Sequence, residues 1–187
     1  MTRLLLGLLF ALAAINRTKA LLEKKIDQTN WGEVSYLPLM GLAGISVTCA
    51  LLYAIHPTWF SYGQVSLGNV VVWVGNIFIF LALSLWAWSK FTLGSNWSTR
   101  IAIRKEHTLT KSGPYAYVRH PIYSSYLLLT FGVILGTANL LVSIPFAIAT
   151  ALTIIRTRQE EAVLKRTLGH EYVEYIQTTG RFFPRIL

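Results

Sequence analysis

Two stretches of the chain concentrate the side chains that can do chemistry. The first is residues 107–123, HTLTKSGPYAYVRHPIY. Ser112, Gly113 and Pro114 read as a turn, and Pro121 suits the first position of a helix. His120 then lies near the helix N-cap, where free backbone N–H groups and the helix dipole favour an anion. Tyr115 and Tyr123 add polar groups around the same point. The spacing fits equally a belt of Tyr, Arg and His that anchors a helix at a membrane interface. The second stretch is residues 156–164, RTRQEEAVL, directly after an apolar run. Arg156 and Glu160 are one helical turn apart and share a helix face. An exposed ion pair beside a basic anchor is one reading. The other is a pair facing an internal cavity, where charges at membrane depth are often functional.

The elements that must position these groups are apolar. Of 187 residues, 53% are hydrophobic and only 13% charged, against about 25% charged in a soluble domain. This excludes a disordered chain and argues against an ordinary soluble enzyme. Tyr36 to Ile55 and Leu67 to Ser89 are each long enough to span a bilayer, which takes roughly 20 residues. Ile122 to Ile155 runs 34 residues without a charge. It is expected to form two antiparallel helices broken near residues 136–139, a tight hairpin. A shorter apolar run, Leu4 to Ile15, is read as a retained first span rather than a signal peptide. The expected fold is therefore an all-α integral membrane protein with five transmembrane helices. It forms a single domain over 1–187, with N-terminal spans in 1–90 and a catalytic half in 91–187.

The net charge of +9 is explained by topology. With five spans, 16 of the 17 Lys and Arg residues fall on one side and only Arg3 on the other. The positive-inside rule places the 16 in the cytoplasm, so the N-terminus is expected outside and the C-terminus inside. All eight acidic residues share the inner side. The basic residues then serve as topology signals and contacts to anionic lipid, and no nucleic-acid partner is expected. The inner side holds both chemistry-bearing stretches, at the cytoplasmic ends of the hairpin. Any pocket is expected to be built from both. The lone cysteine, Cys49, excludes an intrachain disulfide and thiolate metal chemistry, and no metal site is expected. There is no GxGxxG, Walker A, HExxH or GxSxG pattern.

Residues 113–123, GPYAYVRHPIY, resemble the signature of the isoprenylcysteine carboxyl methyltransferase family. The tail is also similar: EEAVL at 160–164, LGHEY at 168–172, Tyr175, and RFFP at 181–184. The resemblance covers about the C-terminal half, from His107 on. It implies an S-adenosylmethionine-dependent membrane methyltransferase, of the protein-S-isoprenylcysteine O-methyltransferase kind, that esterifies the carboxylate of a prenylated or similar lipid-borne acceptor entering from the bilayer. It places cofactor contacts on His107, Thr108, Leu109, Thr110, Tyr115, His120, Pro121, Ile122, Tyr123 and Glu160. It gives Arg156 to the substrate as the catalytic contact. A further family contact, a glutamine, falls on Arg100 here by ungapped counting.

The chemistry agrees with those residue types. A carboxylate acceptor is already ionised at pH 7, so methyl transfer to it needs no strong base. It needs orientation, which can supply about 7–11 kcal/mol, and an arginine can clamp a carboxylate in fixed geometry. Two related readings remain: a phospholipid N-methyltransferase, whose amine acceptor must lose a proton, and an NADPH-dependent membrane reductase. Sterol reductases share an Arg-His-Pro-x-Tyr block but usually carry Asn where this chain has Ile122. A non-catalytic membrane scaffold is the remaining alternative.

Overall fold

The structure, a computed structural model, describes residues 36–94 and 109–185. The run Leu4 to Ile15, the basic residues of the first loop, Arg100 and the expected contacts His107 and Thr108 lie outside the described residues. Within them every regular element is helical. In order these are α1 (Tyr36–Ile55), a 3-10 helix (Pro57–Gly63), α2 (Asn69–Leu93), a 3-10 helix (Gly113–Ala116), α3 (Pro121–Thr137), α4 (Leu140–Leu168) and α5 (His170–Thr178).

Two of these helices, α2 and α4, are long and apolar enough to cross a membrane. The bent pair Leu39–Ile55 and Pro57–Gly63, at 113°, raises the number to three if it is one span, and α3 is a shorter apolar helix. Helix α2 turns Val70, Trp73, Ile77, Phe80 and Phe91 outward. Large apolar groups facing out in such numbers suit lipid as the solvent.

By backbone proximity the described residues divide into two compact units, 36–77 with 130–149, and 78–94 and 109–129 with 150–185. In the first unit, the expected break in the long apolar stretch falls at Ala138 and Asn139. Ala138 takes the left-handed conformation at φ 49°. The Asn139 side chain then caps α4, its Oδ1 accepting from the Leu141 N–H at 3.1 Å and the Val142 N–H at 3.3 Å. Helix-end N–H groups in an apolar protein must be paired within it. Asn139 Nδ2 donates to Phe60 O at 2.8 Å, and Gln64 Nε2 to Ala138 O at 3.1 Å. Tyr53 Oη donates to Thr137 O at 3.0 Å. The polar knot thus binds the 3-10 helix to the turn between α3 and α4. In the same unit α2 and α3 approach closely at Gly75 and Gly136, where a Cβ on Gly75 would collide with the Gly136 backbone. Thr130 Oγ1, on α3, donates to Phe146 O, on α4, at 3.4 Å.

The second unit holds both chemistry-bearing stretches. Its turn at Gly113 has φ +55°, and a Cβ there would meet Thr92 Oγ1 at 2.8 Å and Trp88 Nε1 at 3.3 Å. Only glycine serves both the left-handed backbone and the close approach to α2. Pro121 opens α3, as its fixed φ and missing N–H favour. Thr150 Oγ1 of α4 lies 3.5 Å from Tyr126 O of α3.

Candidate active site

Helix α4 carries two glutamates side by side, and successive helix positions point about 100° apart. Glu160 therefore faces one neighbour and Glu161 another. Tyr123, in the first turn of α3, donates its Oη to Glu160 Oε2 at 2.7 Å. This is the one hydrogen bond to the Glu160 carboxylate among the described residues. Arg156, half-buried and one turn before Glu160 on the same helix, acts electrostatically on the Tyr123 phenol together with Glu160. Glu160 also acts on the Tyr115 phenol. The structure thus gathers Tyr115, Tyr123, Arg156 and Glu160.

Glu161 is buried and holds a separate set. Its Oε1 accepts from Arg119 Nε at 3.1 Å, His120 Nε2 at 3.2 Å and Arg181 Nε at 3.2 Å, while Oε2 accepts from Arg181 Nη2. A carboxylate that accepts from two guanidinium groups is ionised, so the His120 nitrogen facing it carries a proton. The His120 ring also stacks on Tyr123, with centroids 5.4 Å apart and planes within 8°. His120 is therefore fixed from two sides. Arg119 Nη1 continues to Ile176 O at 3.2 Å and to Thr179 O, placing a cation at the C-terminal end of α5, where the helix dipole favours it.

The tail after α5 is tied to the segment before α3. Val118 and Gly180 form a parallel bridge. The Arg119 N–H donates to Gly180 O at 2.8 Å and the His120 N–H to Arg181 O at 3.1 Å. Ser124 Oγ donates to Phe182 O at 2.6 Å. Helix α5 is tied to the same segment by Tyr175 Oη, which donates to Tyr115 O at 2.5 Å, and by the exposed pair Lys111–Glu171 at 2.9 Å. Burial pushes the Tyr175 phenol up to about 12. Burial, and then the Glu160 charge, hold Tyr115 well above the ordinary phenol range. Both phenols are therefore neutral at physiological pH, and that of Tyr175 spends its proton on Tyr115 O.

Of the residues singled out in the sequence, Tyr115, Tyr123, Arg156 and Glu160 come together, and His120 and Pro121 adjoin them at the start of α3. Ile122 follows in the same turn. Leu109 and Thr110 are half-buried at the start of the described segment. The buried Arg119 and Glu161 side chains and the more exposed Arg181 form an ionic cluster to which spacing alone assigned no role. The available signal was that Arg119 adjoins His120 and Glu161 adjoins Glu160. Among the described residues no group of three or more His, Cys, Asp or Glu is placed to hold a metal.

The family model for the isoprenylcysteine carboxyl methyltransferase (ICMT) family matches residues 73–166, half of the chain. A cobalt-zinc-cadmium resistance protein, CzcN, of Cupriavidus metallidurans is 38% identical over 112 residues, covering 58% of this chain and 50% of that protein. Protein-S-isoprenylcysteine O-methyltransferase B of Arabidopsis thaliana is 33% identical over 118 residues, 60% of each chain. The human protein-S-isoprenylcysteine O-methyltransferase is 32% identical over 101 residues, 52% of this chain and 36% of that one. The chain thus spans between about a third and three-fifths of the length of these relatives. A solved structure of a eukaryotic intramembrane Ras methyltransferase, ICMT, superposes with a TM-score of 0.59 at 23% identity, covering 89% of this chain and 60% of that one. At that identity the likeness is one of fold.

Proposed function

Because the chain belongs to the isoprenylcysteine carboxyl methyltransferase family, we propose that it is an S-adenosylmethionine-dependent membrane methyltransferase. Its acceptor in this reading is the carboxylate of an isoprenylcysteine or a similar lipid-borne molecule. The observation that carries the proposal is the grouping of Tyr115, Tyr123, Arg156 and Glu160 in one compact unit.

The residues fit the methyl donor by their chemistry. Glu160 keeps acceptor capacity beyond its one bond to Tyr123, which suits a ligand carrying positive charge. S-adenosylmethionine, when bound, supplies an electrophilic methyl group on a sulfonium. The cofactor set is His107, Thr108, Leu109, Thr110, Tyr115, His120, Pro121, Ile122, Tyr123 and Glu160. Glu160 is held by Tyr123, and His120 by Glu161, so both enter the site in fixed orientation. Preset geometry of this kind lowers the entropy lost on binding. Arg156 is the acceptor contact: its planar guanidinium holds the acceptor carboxylate by paired N–H donors. No residue need remove a proton, because the acceptor is already anionic.

In this reading the chain has five spans over a single domain, 1–187, with the N-terminus outside and the C-terminus and site cytoplasmic. The tail's basic residues and the 16-to-1 distribution of Lys and Arg support that orientation. The hairpin of α3 and α4 is supported by Thr130 with Phe146 in one unit and Tyr126 with Thr150 in the other, pairs whose order along the chain is antiparallel. The acceptor's lipid tail enters from the bilayer, and the methyl donor from the cytoplasm.

The test is a methyl-transfer assay with the purified full chain, radiolabelled S-adenosylmethionine and a prenylcysteine acceptor. Base-labile label in the lipid product, as a methyl ester gives, is the expected result. Label only in a phosphoethanolamine lipid would move the reading to N-methylation.

A further inference from the structure

In the 3-10 helix Pro57–Gly63, side chains three residues apart share a face. Phe60 and Gly63 are buried on one face. Phe60 meets Tyr53 of α1 edge-on, with ring centroids 5.7 Å apart, and a Cβ on Gly63 would meet Asn139 Oδ1 at 2.9 Å. That face is thus seated on α1 and on the turn before α4. Trp59 and Tyr62 share another face, Trp59 64% exposed and Tyr62 fully exposed. The Trp59 ring is fixed there by stacking on His56, at 4.5 Å between centroids and 13° between planes.

Three observations say what this outward face meets. The peptide groups of the segment are paired within the protein: Val65 N–H donates to Ala138 O at 2.7 Å, Gln64 N–H to Ser61 O at 3.2 Å, and Phe60 O accepts from Asn139 Nδ2 at 2.8 Å. A zone poor in water demands such pairing. Residues 36–77 and 130–149 contain no Lys, Arg, Asp or Glu, so the surface around the segment carries no formal acidic or basic charge of that kind. It continues instead into exposed Leu67, Val70, Trp73, Leu140 and Leu141, the apolar face that α2 and the start of α4 turn outward. Finally, α3 has 17 residues, about 25 Å at 1.5 Å per residue, against about 30 Å of hydrocarbon. The turn that follows it, with its buried polar Asn139, needs cover where it approaches the membrane surface.

We propose that Pro57–Gly63 is a membrane foot. It lies in the headgroup and glycerol zone of the bilayer, contacts phospholipid through Trp59 and Tyr62, and roofs the turn between α3 and α4. Trp and Tyr are the side chains that favour this level, with an apolar ring body and a polar tip. The bend after Ile55 is then the point where α1 reaches the interface, not a break within a span. The inference rests on insertion of α2 and α4 in a membrane and is independent of the methyl-transfer reading.

The test places a bimane label at Trp59→Cys, and separately at Ile77→Cys on the outward face of α2, in the full chain with Cys49→Ser. Each is reconstituted in phosphatidylcholine vesicles brominated either near the headgroup or near the chain end. The label at position 59 is expected to lose more fluorescence to the shallow bromine, and the label at 77 more to the deep one. The loss of native tryptophan fluorescence in the parent minus that in Trp59→Phe repeats the measurement without a label, and the same shallow preference is expected. Quenching at position 59 by aqueous iodide and by neither lipid would make the segment a solvated loop and overturn the inference. Stronger quenching there by the deep bromine would overturn it too, by making the bent pair a broken span or a re-entrant loop.

Discussion

Glu160 and Glu161 are adjacent in the chain and serve different partners. Glu160 takes a single bond, from Tyr123 Oη at 2.7 Å. Glu161 takes bonds from Arg119, His120 and Arg181 and is buried among them. One helix turn therefore presents a carboxylate with capacity to spare beside one that is fully engaged. The first is suited to a ligand, and the second to holding the tail, the segment before α3 and α4 together.

Glu161→Ala is expected to be far more destabilising than Glu160→Gln. Removing Glu161 strands Arg119, whose side chain is 8% exposed, and removes the partner of His120. Breaking a buried pair from one side costs about 3–5 kcal/mol. Glu160→Gln keeps the shape and can still accept from Tyr123. Thermal unfolding in detergent checks this: equal unfolding temperatures for the two variants would contradict the division of roles.

Arg156→Ala is expected to lower methylation of a prenylcysteine carboxylate at least tenfold while S-adenosylhomocysteine binding persists. Loss of a charged hydrogen-bond partner costs about 1.5–3 kcal/mol, at least an order of magnitude in turnover. Arg156→Lys should recover little, because an ammonium lacks the planar fork. A radiolabelled assay beside calorimetry reads both properties. Normal turnover by folded Arg156→Ala would put the acceptor elsewhere.

Gly75→Leu is expected to lower stability through overpacking, by about 1–3 kcal/mol. The cause is backbone contact with Gly136, which cannot move aside as a flexible side chain would. The same change at Gly44, which has nothing within 4 Å of its Cβ position, should be close to neutral. Unfolding temperatures of the two variants make the comparison.

Orientation is checked by cysteine accessibility in a Cys49→Ser background. Gly63 and Gly180 are poor labelling positions, because a Cβ at Gly63 meets Leu141 and one at Gly180 meets Phe183. Tyr62, 100% exposed, and the exposed Gln177 are better. Tyr62→Cys should react with an impermeant maleimide from outside, and Gln177→Cys only after the membrane is opened. Labelling of both from one side would remove a span from the five-span reading.

Much of the frame was readable from residue patterns. A charge-free run of 34 residues is too long for one span, and its division falls at Ala138 and Asn139, where a left-handed residue and a capping side chain end one helix and start the next. Pro121 marked the start of α3 for an equally local reason. The buried cluster around Glu161 was not readable, because its partners lie 42 and 20 residues away and no local periodicity records such pairing. The bend after Ile55 was missed as well. Pro57 to Gly63 form a 3-10 helix tied by Asn139 and Gln64, contacts with a turn far along the chain. The contact of Gly75 with Gly136 likewise depends on two helices meeting, which neither sequence segment announces.

Calorimetric titration of the purified full chain with S-adenosylhomocysteine and, separately, with NADPH tests the central claim most directly. Binding of S-adenosylhomocysteine, weakened in Glu160→Gln, with no heat from NADPH, is the predicted result. Saturable binding of NADPH with none of S-adenosylhomocysteine would contradict it.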